Sequence, residues 1–238
     1  MPGTSLRKVG LCLLMVAIFS ISFTVSAAQM ASRTDATSTN IVAQRDFGSW
    51  RYVATKEQGG IMIAAELTQK DQKGLESYML ANAELAARLF QQHTSLEGRI
   101  VFKRPVLEQE LPKTVQVAQS QVRGYELRVK GGKNEKFTIF GAPSTNEFLP
   151  QDLLATMLAD ITAKSDRADL KGFTTLTMSM SAAQYRQLVT APNVLFVDIV
   201  PAAVVDDYQR SLGNSAGSAS IATSLAPAYW YHEEAIDP

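Results

Sequence analysis

The sequence predicts an α+β fold, and three observations point to it. From residue 99 onward, short runs of β-branched and aromatic residues alternate with segments whose apolar residues recur at helical spacing. Taken in order, and with one strand–helix segment over residues 137–164 set aside, these read strand, helix, strand, strand, helix, strand. Ahead of them, two short apolar runs around Gly59-Gly60 predict a hairpin, and a long amphipathic segment predicts a helix.

The 238 residues carry 23 Lys+Arg and 23 Asp+Glu, and 46% are hydrophobic. That balance argues against a basic nucleic-acid binder, and the apolar content against a disordered chain. One cysteine, Cys12, and two histidines, His93 and His232, leave no disulfide scaffold, Cys-rich zinc module or multi-His site. No metal and no cofactor is expected. Residues 1–28 have the layout of a signal peptide. Arg7 and Lys8 precede an uncharged apolar run, and Ser26-Ala27-Ala28 supplies small residues for cleavage after Ala27 or Ala28. The mature protein is then secreted or extracytoplasmic, with an uncleaved N-terminal membrane anchor as the alternative. Cleavage removes Cys12, and a secreted chain without cysteine leans towards a bacterial envelope.

Residues 29–45 read as a flexible linker, since the Ser, Thr and Ala of residues 30–40 show no apolar period. Residues 46–98 hold the hairpin and helix. Trp50-Arg51-Tyr52-Val53 and Ile61-Met62-Ile63 are its strands. Thr68 to Asp71 resembles a capping box, and Leu75, Tyr78, Met79, Ala83, Ala86, Leu89 and Phe90 predict a helix over 69–93. Gly74 is expected to weaken its first turns by about 1 kcal/mol relative to Ala.

Residues 99–205 form the main predicted domain. Residues 99–103 are a strand, and Pro112 opens a short helix. Over residues 124–129, Tyr125, Leu127 and Val129 alternate with Glu126 and Arg128, which predicts a half-buried strand. Gly131-Gly132 turns the chain into a strand over 137–140. Pro150 opens a helix bearing Leu153, Leu154, Met157, Leu158 and Ile161, and residues 164–169 form a charged break. Residues 173–179 are a strand, Ser181 and Gln184 a capping box, and Pro192 ends the helix between them and the last strand. Residues 194–200 are nearly all apolar, so that strand should be central and buried. With the inserted strand–helix segment set aside, the order is that of a ferredoxin-like split βαβ core.

The end of this domain carries a narrower likeness. Gly172-Phe173, the Ser181-capped helix with Tyr185 and Leu188, Ala191-Pro192-Asn193-Val194 and the Val197-Asp198 pair resemble the second half of the subtilisin-propeptide inhibitor family. About 30 residues match well by this pattern of strand, short helix and turn. The insertion, Asp198 where Glu is commoner, and the lack of a following protease domain depart from it. The resemblance implies a propeptide-like fold and a protein partner, a subtilisin-class protease being the first to consider.

No catalytic motif stands out. His93 closes a helix, where a cation complements the dipole. Asp206-Asp207 and Glu233-Glu234 lack the alternating oxygens of a calcium loop and read as solvated surface. Residues 206–238 read as a flexible tail, with Ser, Gly and Ala leading to an aromatic cluster. Tyr229, Trp230 and Tyr231 are the partner-binding candidates, because tethered aromatics make good interface anchors. The expectation is a secreted, non-catalytic protein-binding module. The alternative is a secreted carboxylate-dependent hydrolase acting on a glycan or other envelope substrate.

Overall fold

The computed structural model describes residues 41–57, 60–69, 71–115, 121–132, 135–144, 147–212 and 221–225. Strands β1 (Ile41–Asp46), β2 (Trp50–Glu57) and β3 (Gly60–Leu67) come first, then helix α1 (Gln72–Leu89). Strand β4 (Ser95–Val106) leads through a 3-10 turn to the short α2 (Leu111–Val115). Strands β5 (Val122–Gly131) and β6 (Lys136–Gly141) precede α3 (Gln151–Ser165). The chain then runs through β7 (Ala168–Ser181), α4 (Ala182–Val189), β8 (Val194–Asp198), α5 (Val200–Leu212) and β9 (Ile221–Leu225). The result is a mixed α+β fold.

Two sheets form. The smaller has the order β1-β2-β3-β9, with β9 parallel to β3 and the other neighbours antiparallel. The larger has the order β6-β5-β7-β4-β8, every neighbouring pair antiparallel. β4 and β5 therefore run parallel to each other with β7 between them.

Strand periodicity assigns the larger sheet's two faces to two apolar clusters. Ile100, Phe102, Leu127, Leu176, Met178 and Val197 point into the first, which Leu154 of α3 and Leu188 of α4 help to close. Val101 and Phe196 point the other way, into a second cluster. That cluster also holds Trp50, Tyr52 and Ile63 of the small sheet, Leu75 and Tyr78 of α1, and Val200, Val204 and Tyr208 of α5. The predicted modules 46–98 and 99–205 are thus not separate. One core joins them, and the described residues form one unit.

Local signals set several boundaries. Asp71 caps α1, its Oδ1 accepting from the Gly74 N–H at 2.8 Å. That bond holds its carboxyl below the usual range. The helix therefore starts at Gln72, not residue 69, and Thr68 instead donates to the Gly48 carbonyl. Gly74 has a positive reason to be glycine: a Cβ there would lie 1.8 Å from the Gln69 carbonyl oxygen. The predicted box at α4 is present in both halves, Ser181 Oγ accepting from Gln184 N and Gln184 Oε1 accepting from Ser181 N. Gly172, at φ +124°, passes against the Val106 carbonyl where the β4–β7 register slips, a conformation side chains disfavour.

Five expectations are corrected. The last apolar run is not central: β8 is an edge strand paired only with β4 among the described strands, and Val200 already opens α5. Its apolar continuity reflects packing on both faces, by α4 on one and by α1 and α5 on the other. β5 is not half-buried, because Glu126 and Arg128 are as enclosed as Leu127. The linker reading of 29–45 stops short, since Ile41–Asp46 pairs with β2. The tail reading of 206–238 fails at α5, which runs to Leu212, and at β9, which pairs with β3. The charged break at residue 164 likewise begins late, since α3 continues to Ser165. The signal segment lies outside the described residues. Among those described, no helix is long and apolar enough to cross a membrane.

Candidate functional site

The aromatic cluster Tyr229, Trp230 and Tyr231 lies outside the described residues, as do His232, Glu233 and Glu234. The other residues noticed in sequence have structural partners. His93 follows α1, with Nε2 3.7 Å from Asp206 Oδ1. Asp206 also pairs with Arg210 one helical turn on. Asp207 turns to different partners: Tyr52 donates its hydroxyl to Oδ2 at 2.6 Å, and Arg45 Nε lies 3.2 Å from the same oxygen. Burial, then Asp207, lifts the Tyr52 pKa far above the phenol range. The two adjacent acids therefore tie α5 to separate elements and do not face one common cation. Among the described residues, no three His, Cys, Asp or Glu are grouped to hold a metal.

The densest polar chemistry lies elsewhere, under α1 on the larger sheet. Alternation places Arg99 of β4, Glu126 of β5, Thr175 of β7 and Asp198 of β8 on one face, with Arg99 opposite Asp198, Glu126 opposite Thr175, and Thr175 two residues along β7 from the partner of Arg99. Arg99 donates to Glu126 Oε1, and Thr175 donates its hydroxyl to Oε2 at 2.7 Å. At the far end of the row, Asp198 Oδ1 accepts from the Tyr78 hydroxyl at 2.9 Å and from the Val200 N–H at 3.0 Å. Asn82, one turn after Tyr78, closes the junction. Its Nδ2 donates to the Val197 carbonyl at 2.7 Å, and its Oδ1 accepts from the Ile199 N–H at 2.8 Å. A single amide thus satisfies the backbone where β8 ends and α5 begins, groups that are costly to bury unpaired.

The electrostatics follow from enclosure. Asp198 is 2% exposed and Glu126 4%. Burial raises the Asp198 pKa, and the counter-pull of Arg99, Tyr78 and the Val200 N–H does not cancel it. Burial, reinforced by Asp198, pushes the Tyr78 hydroxyl well above its ordinary value. For Arg99, burial works against the charge, but Glu126 and Asp198 outweigh it and the guanidinium holds its proton more tightly. These groups bond to one another and to backbone. The Tyr78 and Asn82 bonds thus clamp α1 to the end of β8, over Asp198.

No family model matches the chain, and no curated protein or solved structure matches it either.

The described surface exposes large apolar side chains on helices, Leu80 of α1 the most at 66%, and on strands at sheet edges. Ile41 and Val42 on β1 are both 48% exposed, and Phe140 on β6 is 51% exposed. Each of those strands has one neighbour among the described strands. Phe47, also exposed, stacks on Trp50 with ring centroids 4.2 Å apart.

Sequence reading missed the clamp because its members are far apart in the chain. The one local signal was Asn82, a polar residue where the helical period of Leu75, Tyr78, Ala86 and Leu89 calls for an apolar one. Asn82→Ala is expected to cost about 2–4 kcal/mol, because it orphans a buried carbonyl and a buried N–H together. Urea unfolding at neutral pH measures this. A loss of a few tenths of a kcal/mol would show that water replaces the amide.

Proposed function

We propose that the chain is a secreted, non-catalytic protein-binding module built on a propeptide-like, ferredoxin-like core. The observation that carries the reading is strand order. With β6 left out as an added edge, the larger sheet reads β8-β4-β7-β5. In chain order this is fourth, first, third, second, the arrangement of a split βαβ fold. The residues behind the propeptide-inhibitor resemblance fall on its second half. Gly172-Phe173 lies on β7, Ser181 caps α4, and Val197-Asp198 ends β8. A fold of this kind hosts many functions, so the partner must be argued from surfaces. The exposed apolar residues of β1 and β6 support strand-edge docking, a common mode of peptide recognition. Secretion is supported by the order of charge, apolar run and small residues within 1–28.

A subtilisin-class protease is the first partner to try. Inhibition at micromolar protein is the expected result, and unaffected proteases would refute the inhibitor form. A second chain cut after Leu225 keeps β9 and removes Tyr229, Trp230 and Tyr231. Unchanged melting with lost binding supports those aromatics as anchors, whereas a lower melting temperature with binding retained assigns them to the fold. Turnover of a glycan, peptide or ester that disappears on substituting an acidic pair would overturn the non-catalytic reading altogether.

A further inference from the structure

The clamp contains two buried carboxylates and one guanidinium. Arg99 stands directly opposite Asp198 in the β4–β8 register, yet its guanidinium bonds to Glu126, across β7. Arg128, the buried cation of this sheet among the described residues, donates to Thr138 Oγ1 at 3.0 Å at the β6 side. Asp198 therefore has Arg99 near it without holding it. The groups that face Asp198 are Tyr78 from α1, Arg99 from β4, Glu126 from β5, Tyr185 from α4 and the Val200 N–H of α5. Two are cationic or donating backbone, two are phenols, and one is a second carboxylate. A carboxylate in such a place is costly to keep charged.

We propose that Asp198 is a proton-operated latch: carrying a proton it holds α1 against β8, and losing that proton loosens the helix. With Oδ1 occupied by the Tyr78 and Val200 donors, the proton resides on Oδ2. The direction follows from linkage. When α1 lifts away, Asp198 meets water and returns to an ordinary aspartate pKa of about 3.9. Docked, its pKa is higher, through burial first and with Glu126 adding to it. The contribution to docking is complete below the ordinary value and is lost as pH rises through the docked one. Between the two, the opening equilibrium grows by up to about tenfold per pH unit, and above the docked value it levels off.

The test is amide hydrogen exchange of α1 from pH 4 to 8, corrected for the intrinsic rate, on the wild-type chain and on Asp198→Asn. Asn keeps an Oδ1 acceptor and cannot titrate. Wild-type protection should fall across the window by up to about tenfold per unit, while Asp198→Asn should stay flat. Equal slopes in the two proteins would overturn the latch. Carboxyl ¹³C shifts of aspartate-labelled wild-type protein decide the matter without any variant. One aspartate titrating above the rest, in step with α1 protection, supports the proposal, and all aspartates titrating together refute it.

Discussion

Arg99→Met is expected to cost about 3–5 kcal/mol at neutral pH, the range seen when one member of a buried ion pair is deleted. The guanidinium is the cation paired with Glu126 at 4% exposure, and Met fills similar volume without it. What remains to Glu126 is the Thr175 hydroxyl, which is too little for a full charge. Adding Glu126→Gln to Arg99→Met should recover more than half of the loss, since it removes the stranded charge. Urea titrations of the two single variants and the double variant at pH 7 measure this as a cycle. A single-variant cost under about 1 kcal/mol would mean that water already reaches Glu126.

Val197→Asp and Phe196→Asp should each leave the chain largely unfolded at room temperature. Val197 has no exposed surface and enters the first core. Phe196 enters the second, edge-on to Tyr78 with ring centroids 6.0 Å apart. A lone carboxylate at either place removes apolar packing and finds no partner. A cost above about 4 kcal/mol consumes most of the margin of a typical domain. Phe196→Ala is the gentler member of the pair, expected at about 3–5 kcal/mol. Circular dichroism and melting report the outcome, and near wild-type melting for both Asp variants would mean β8 is not held between two cores.

These expectations keep the residues a sequence reading selects and change the reason for them. An apolar run reports burial on both faces, and in 194–200 it did so correctly. It cannot report how many strands flank it, which is why an edge strand passed for a central one. Signals that act within one turn, such as Ser181 with Gln184, were legible in full. β1 and β9 were hidden because their residues look like a linker and a tail, and only pairing with β2 and β3 makes them strands. The clamp was hidden for a similar reason. Glu126 and Arg128 alternate with apolar residues as a solvated face would, and nothing near them in sequence names Arg99, Thr175 or Asp198 as partners. Tyr78 was visible only as part of an apolar stripe, although its hydroxyl reaches Asp198.

The pairing of β9 with β3 bears on the order in which the chain folds. The two strands are roughly 160 residues apart, and closing so long a loop is entropically costly before other contacts have formed. The β2–β3 hairpin and the α4 turn need only neighbours and can form early. The small sheet gains its fourth strand only after the larger sheet and α5 have brought residue 221 back beside Ile61. That seam therefore zips last. Until it does, β3 presents an open rim, so this is where a slow or interrupted passage of the chain would invite pairing with a foreign strand.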